Sequence, residues 1–206
     1  MMESRTRLRA ITAAYTTLAG LPGHDYSGIN LGGLILTPGV YKFTTSAFLT
    51  TGTTPTLTLN AEGDANAIFV FEIGSTLTTG SGSVVNVING NAGTGVFWQV
   101  GSSATLGSGT AFAGNILALT SIELDTGATI CGRALARNGE VTLEGNTISD
   151  TCLVTGGLNN NLGDFGSLGF AGSSEAAVPE PGTVPLLCVG LFALTLCGWQ
   201  SRKRVA

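Results

Sequence analysis

Residues 96–149 read VFWQVGSSATLGSGTAFAGNILALTSIELDTGATICGRALARNGEVTLEGNTIS, and this stretch decides the fold. Laid over itself at an offset of 18, it places Gly109 on Gly127, Phe112 on Ile130, Gly114 on Gly132, Leu117 on Leu135 and Ala118 on Ala136. One inserted residue later, Leu124 falls on Leu143. The segment before it repeats at an offset of 27. Phe71 falls on Trp98, Ile73 on Val100, Gly74 on Gly101, Ser75 on Ser102, Thr78 on Thr105, Gly80 on Gly107 and Gly82 on Gly109. Short apolar runs separated by Gly turns, recurring at roughly 20–30 residues, predict a β-solenoid whose coils bury their faces only against neighbouring coils. The unequal periods predict coils with loops of different length.

Composition agrees. Glycine supplies 31 of 206 residues, and charged residues are only 11%, against roughly 25% in ordinary globular domains. Low charge with plentiful Thr, Val, Ile and Phe argues for strands and against disorder. The net charge of −4, with no basic patch away from the termini, excludes nucleic acid as a partner. One histidine and four cysteines without a C-x-x-C predict no metal site. The acidic residues of the coils, Glu72, Glu123, Asp125, Glu140 and Glu144, are scattered, with no clustered acid and base for catalysis. Neither an enzyme nor a cofactor is expected.

Working toward the N-terminus, residues 1–19 read as an amphipathic helix. Leu8, Ile11, Tyr15 and Leu18 form one apolar stripe, and Pro22 stops the helix. Thr12, Thr16 and Thr17 interrupt any export-signal core, so the helix is expected to pack lengthwise on the solenoid. Between 23 and 66, Gly32-Gly33, Pro38-Gly39 and Gly52 punctuate short strands. Val40–Phe43 and Thr56–Leu59 alternate, which predicts one buried face each. His24 reads as an exposed polar residue. Asn60, Glu62, Asp64 and Asn66 read as a polar turn rather than a calcium loop, since the closing bidentate Glu is missing. Ala67–Phe71 is a continuous apolar run, expected of a strand buried on both faces. Arg133 and Arg137 are expected to pair with Glu123, Glu140 or Glu144 on a solvated face.

Toward the C-terminus, residues 153–177 form a Gly/Asn/Ser linker. In 178–206, an apolar run from Val184 to Trp199 precedes a basic end. Sixteen helical residues span about 24 Å, short of the roughly 30 Å hydrocarbon core, so this is a marginal transmembrane segment. Val178-Pro179-Glu180-Pro181, the short apolar span and Arg202, Lys203 and Arg204 resemble a PEP-CTERM sorting signal. That resemblance implies export, transient anchoring in the inner membrane, cleavage by an exosortase-type processing enzyme, and a final place at the cell surface or in the extracellular matrix.

The body, roughly residues 10–152, resembles the bacterial and fungal ice-binding protein family. The matching runs are LGGLILTPGVYKF, GDANAIFVFEIGSTLTTGSGS, GVFWQVGSSATLG, GTAFAGNILALTSI and GATICGRALARNGEVTL. The resemblance implies a mainly β protein: a right-handed discontinuous β-solenoid with three faces and one α-helix packed alongside. It places the domain at 1–152, and it implies that N-terminal coils are missing. It also implies ice, or an ordered water surface, as the partner of a flat face bearing loose T-A/G-x-T/N motifs. Thr51-Gly52-Thr53-Thr54 and Thr126-Gly127-Ala128-Thr129 match, while Thr79-Gly80-Ser81-Gly82 departs at its last position. The candidate ice-binding residues are therefore Thr51, Thr53, Thr54, Thr79, Thr126 and Thr129, with Thr105 and Thr110 extending the face. The other reading is a non-enzymatic surface or matrix adhesin on the same solenoid, which exposed aromatics along one face would favour.

Overall fold

The computed structural model describes residues 2–149 except 51, 65 and 92, with side chains at residue 9 and from 11 onward. The linker, the sorting-signal residues and the proposed transmembrane segment lie outside the described residues. Among the described residues a single helix, α1 (Met2–Leu18), precedes seventeen short strands. Sheet A holds β1 (His24–Asp25), β3 (Gly39–Phe43), β6 (Ile68–Ile73), β9 (Gly95–Val100), β12 (Asn115–Ala118) and β15 (Ala134–Ala136). Sheet B holds β4 (Ala47–Leu49), β7 (Leu77–Thr79), β10 (Ala104–Leu106), β13 (Ile122–Leu124) and β16 (Val141–Leu143). Sheet C holds β2 (Ile35–Leu36), β5 (Thr56–Asn60), β8 (Val84–Ile88), β11 (Ala111–Ala113), β14 (Thr129–Cys131) and β17 (Thr147–Ser149). From β3 onward the chain visits A, B and C in turn, and every strand pairs in parallel with its counterpart one coil away. This is the expected three-faced solenoid.

The registers are those of the sequence repeats. Phe71 pairs with Trp98 and Ile73 with Val100, Thr78 with Thr105, Phe112 with Ile130, Leu117 with Leu135 and Leu124 with Leu143. The cause is steric and hydrophobic at once. A one-residue slip would turn every apolar side chain outward. Inside, Tyr41, Phe71 and Trp98 form a stacked column, with ring centroids 5.4 Å and 3.8 Å apart. The Trp98 indole N–H donates to the Ala113 carbonyl at 3.1 Å, so this buried donor is satisfied.

Corners are where glycine is needed. Gly82, Gly109, Gly127 and Gly145 stack at the corner from sheet B to sheet C with φ of +66°, +69°, +73° and +66°. That left-handed conformation is cheap only without a Cβ.

Sheet A is covered by α1, which explains why β6 is buried on both sides, as its apolar run predicts. Tyr15 donates its hydroxyl proton to the Val100 carbonyl at 3.2 Å. Arg137 lies over the Tyr15 ring, 5.9 Å from its centroid. Beyond the pairing with Glu123, Glu140 or Glu144 that its sequence neighbours suggest, its guanidinium is drawn to an aromatic face at the helix interface. Under the end of the helix, Lys42 Nζ lies 2.8 Å from Glu72 Oε2 and donates to the Leu21 carbonyl at 2.9 Å.

The polar turn is confirmed. Asn60 Oδ1 accepts from the Glu62 amide and Asp64 Oδ1 from the Asn66 amide, so these side chains cap tight polar turns. His24 is exposed, on the edge strand β1. No helix among the described residues is long and apolar enough to cross a membrane.

The two ends of the stack differ. Residues 26–34 close one end: Leu31 is fully buried, and Tyr26 meets Tyr41 edge-on at 5.0 Å. At the other end, Leu143 and Ile148 continue the inward columns of Leu124 and Ile130 but are 52% and 37% exposed.

Candidate functional site

With sheet A covered by α1, sheets B and C carry the open faces, and their chemistry differs. The central outward row of sheet B runs Phe48, Thr78, Thr105, Glu123, Thr142 by register. A carboxylate thus sits in mid-row, with exposed Glu140 and Glu144 in the adjoining corners. One outward row of sheet C runs Thr56, Val84, Ala111, Thr129, Thr147. Beside it, Ile35, Thr58 and Asn86 form part of a second row. No strand of sheet C carries a charged residue. At about 4.8 Å per strand, the first row spans ~19 Å of regularly spaced methyls and hydroxyls.

The predicted residues divide among three places. Thr129 is exposed in β14, in the row just described. Thr126 is exposed at the adjoining corner, where its hydroxyl donates to Glu144 Oε2 at 3.0 Å. Thr53 and Thr54 are exposed at the equivalent corner one end of the stack away. Thr51 lies outside the described residues. Thr79 is corrected: it is 3% exposed, and its side chain points inward with those of Leu49 and Leu106, its register partners. Its hydroxyl oxygen lies 2.9 Å from that of Thr110 and accepts from the Gly107 amide. Thr110 is likewise fully buried, so neither can touch an external surface. Thr105 faces outward, but on sheet B.

Sequence reasoning missed Thr56, Thr58 and Thr147. Thr147 was detectable, being 18 residues after Thr129 and its register partner. Thr56 was hidden by a longer corner. Leu49 and Thr56 pair with Thr79 and Val84; the first pair is seven positions apart, the second five. Two extra residues therefore shift Thr51-Gly52-Thr53-Thr54 out of step with Thr126–Thr129.

A groove of about 410 Å³ runs between the end of α1 and sheet A, lined by Tyr15, Lys42, Thr44, Glu72 and Gln99 among others. Its carboxylate is held by Lys42. Among the described residues no three His, Cys, Asp or Glu side chains gather as metal ligands.

The ice-binding-like family model matches residues 4–149. The chain belongs to the ice-binding-like family. An ice-binding protein of Nostoc sp. (strain HG1) is 60% identical over 194 residues, covering 93% of this chain and 64% of that protein. Ice-binding protein 1 of Shewanella frigidimarina (strain NCIMB 400) is 38% identical over 152 residues, 71% of this chain and 16% of that protein. The chain thus spans less than two thirds of the length of these relatives. Among solved structures, an ice-binding protein from an Antarctic biological consortium superposes with a TM-score of 0.65 at 46% identity, covering 72% of this chain and 66% of the other. That of the Antarctic ascomycete Antarctomyces psychrotrophicus gives 0.62 at 37%, covering 69% and 68%. These solved structures share the β-solenoid fold.

Proposed function

We propose that this ice-binding-like protein adsorbs to ice through sheet C, centred on Thr56, Val84, Ala111, Thr129 and Thr147. The observation that carries this reading is the absence of charge from the strands of a parallel, Thr-bearing sheet, beside a sheet B that holds a carboxylate in mid-row. A charged group keeps its own tightly held water, which does not fit a crystal lattice. Methyls exclude disordered water, while hydroxyls at strand spacing hold ordered waters that merge with an ice plane. Each contact is weak and the sum is large. Thr53, Thr54 and Thr126 flank this face at its corners. The names of the relatives support the same partner.

Replacing Thr129 by Tyr lifts the flat face off the lattice, so thermal hysteresis should be abolished. Thr105→Tyr, on sheet B, should leave it intact. Both substitutions are on exposed strands and should change stability by no more than about 0.5 kcal/mol, checked by circular dichroism. Full hysteresis in Thr129→Tyr would sink the sheet C assignment. An inactive parent protein would return the surface-matrix adhesin as the reading.

The same reading places the protein outside the cell. The disulfide at Cys131 supports an oxidising compartment. The tail, with Pro179, Glu180, Pro181 and the basic Arg202, Lys203 and Arg204, serves as a sorting signal cut by an exosortase-type enzyme after transient membrane anchoring. Truncating 178–206 should leave the melting temperature of the body unchanged and block surface delivery.

A further inference from the structure

Thr79 and Thr110 fit the Thr/Gly pattern expected of the ice face, yet both point inward, and the hydrogen bonds they make there have a direction. Gly107 donates its amide proton to Thr79 Oγ1 at 3.0 Å. Thr79 Oγ1 and Thr110 Oγ1 lie 2.9 Å apart, and Thr110 Oγ1 lies 3.2 Å from the Gly80 carbonyl oxygen. A carbonyl only accepts, so the single Thr110 hydroxyl proton goes to Gly80, and the Thr79 proton goes to Thr110. The chain of bonds runs one way, from the backbone of one coil through two buried hydroxyls into the backbone of the coil below. The two backbones touch at this corner: a Cβ on Gly107 would lie 2.8 Å from the Gly80 carbonyl carbon. Ser83, also fully buried, donates to the Leu49 carbonyl at 2.9 Å and approaches that of Gly80 at 2.6 Å.

These residues stand directly behind the sheet C row. Ser83 precedes Val84, and Thr110 precedes Ala111. Their carbonyls hold the row on the next coil. Ala111 donates its amide to Ser83 at 2.8 Å, and Thr129 donates its amide to Thr110 at 2.7 Å. The Thr129 hydroxyl also turns back to the Thr110 carbonyl, at 3.4 Å. Each buried residue is thus held from inside by its hydroxyl, and holds a row residue by its carbonyl.

We propose that Thr79, Ser83 and Thr110 are positioning residues for ice adsorption: their buried hydroxyls fix the height of Ala111 and Thr129 and the direction of the Thr129 hydroxyl. This rests on the assignment of the ice face to sheet C. A crystal lattice accepts side chains only at set heights and spacings, so small freedom in one member of the row loosens ordered water along all of it. Removing one hydroxyl leaves buried partners unsatisfied, and the corner shifts to recover them. The exposed face then keeps its chemistry and loses its geometry.

The test is Thr110→Val in the full chain, which keeps the branched shape and removes the hydroxyl. Thermal hysteresis is read near the freezing point, where circular dichroism establishes that the variant is folded. It should fall by about half or more, and Thr110→Ser, which restores the hydroxyl, should recover it. Ile73→Val, a buried change on sheet A, should lower the melting temperature and leave hysteresis at the parent value, which separates positioning from stability. Parent hysteresis in folded Thr110→Val overturns the proposal, and so does an equal loss in Ile73→Val. If Thr110→Val does not fold, Ser83→Ala takes its place with the same two outcomes. Thr129→Tyr in the same series separates the two readings. Full hysteresis there removes the sheet C face and this proposal with it. Lost hysteresis there, beside full hysteresis in Thr110→Val, removes only the positioning role.

Discussion

The indole of Trp98 lies flat on the ring of Phe71, with centroids 3.8 Å apart and planes within 7° of parallel. The two residues are register partners on adjacent coils of sheet A, and both are fully buried. Trp98 also tilts against Phe112 across its own coil at 4.9 Å, so one side chain ties two adjacent coils and two sheets together. Trp98→Ala empties that space and leaves the coils nothing to collapse onto. A loss of about 3–5 kcal/mol is expected, read from the denaturant midpoint by circular dichroism.

That pair also shows how much of the fold was legible. Phe71 and Trp98 align at a fixed offset because a parallel stack sets like residues directly above one another. The sequence repeat is thus a direct copy of the strand register. The functional face was less legible because a Thr repeats equally well inside and outside a coil. Thr79 shares an inward column with Leu49, Leu106, Leu124 and Leu143; that neighbourhood, not its local T-G motif, reports its direction. Thr56 was concealed by the longer corner before it. The charge difference between sheets B and C became visible only once outward rows were known.

Charge placed on sheet C should act as bulk does. Ala111 is exposed between Val84 and Thr129. Ala111→Lys is expected to remove most thermal hysteresis with little change in stability. Glu123→Thr, which removes the mid-row carboxylate of sheet B, should leave hysteresis no lower than in the parent. The two measurements together assign the face.

Glycines of two kinds should respond differently to a methyl group. Gly127 has φ of +73° and open space around its missing Cβ, so Gly127→Ala carries only the left-handed backbone cost, about 1–2 kcal/mol. Gly132 has φ of +135°, and a Cβ there would lie 2.3 Å from the Gly114 carbonyl oxygen one coil below. Gly132→Ala must push two backbones apart as well. Its loss should exceed that of Gly127→Ala by about 1–3 kcal/mol, measured by paired urea unfolding curves.

Alkali should loosen the core near Tyr41. Burial raises the phenol's pKa above its ordinary 10.0, and the protonated phenol donates to the Thr37 carbonyl. Above pH 10 the unfolded chain gives up this proton while the folded chain still holds it. Stability is complete below pH 10 and falls as pH rises toward the raised folded value. Tyr41→Phe removes this contribution. Its melting temperature should decline less steeply than the parent's between pH 10 and 12, and an identical slope would exclude Tyr41 as the source.

The corner where Gly82, Gly109, Gly127 and Gly145 follow one another at nearly constant φ makes the coil a unit of growth. Residues 129–146 form one full turn, since Thr129 and Thr147 are register partners. A tandem duplicate of those 18 residues would enter with matching ends, add one strand to all three sheets, and need no new loop. It would also place one more threonine in the row, lengthening the footprint by about 4.8 Å. Reach across a crystal plane can therefore change in whole steps by gene duplication, without redesign of any existing contact.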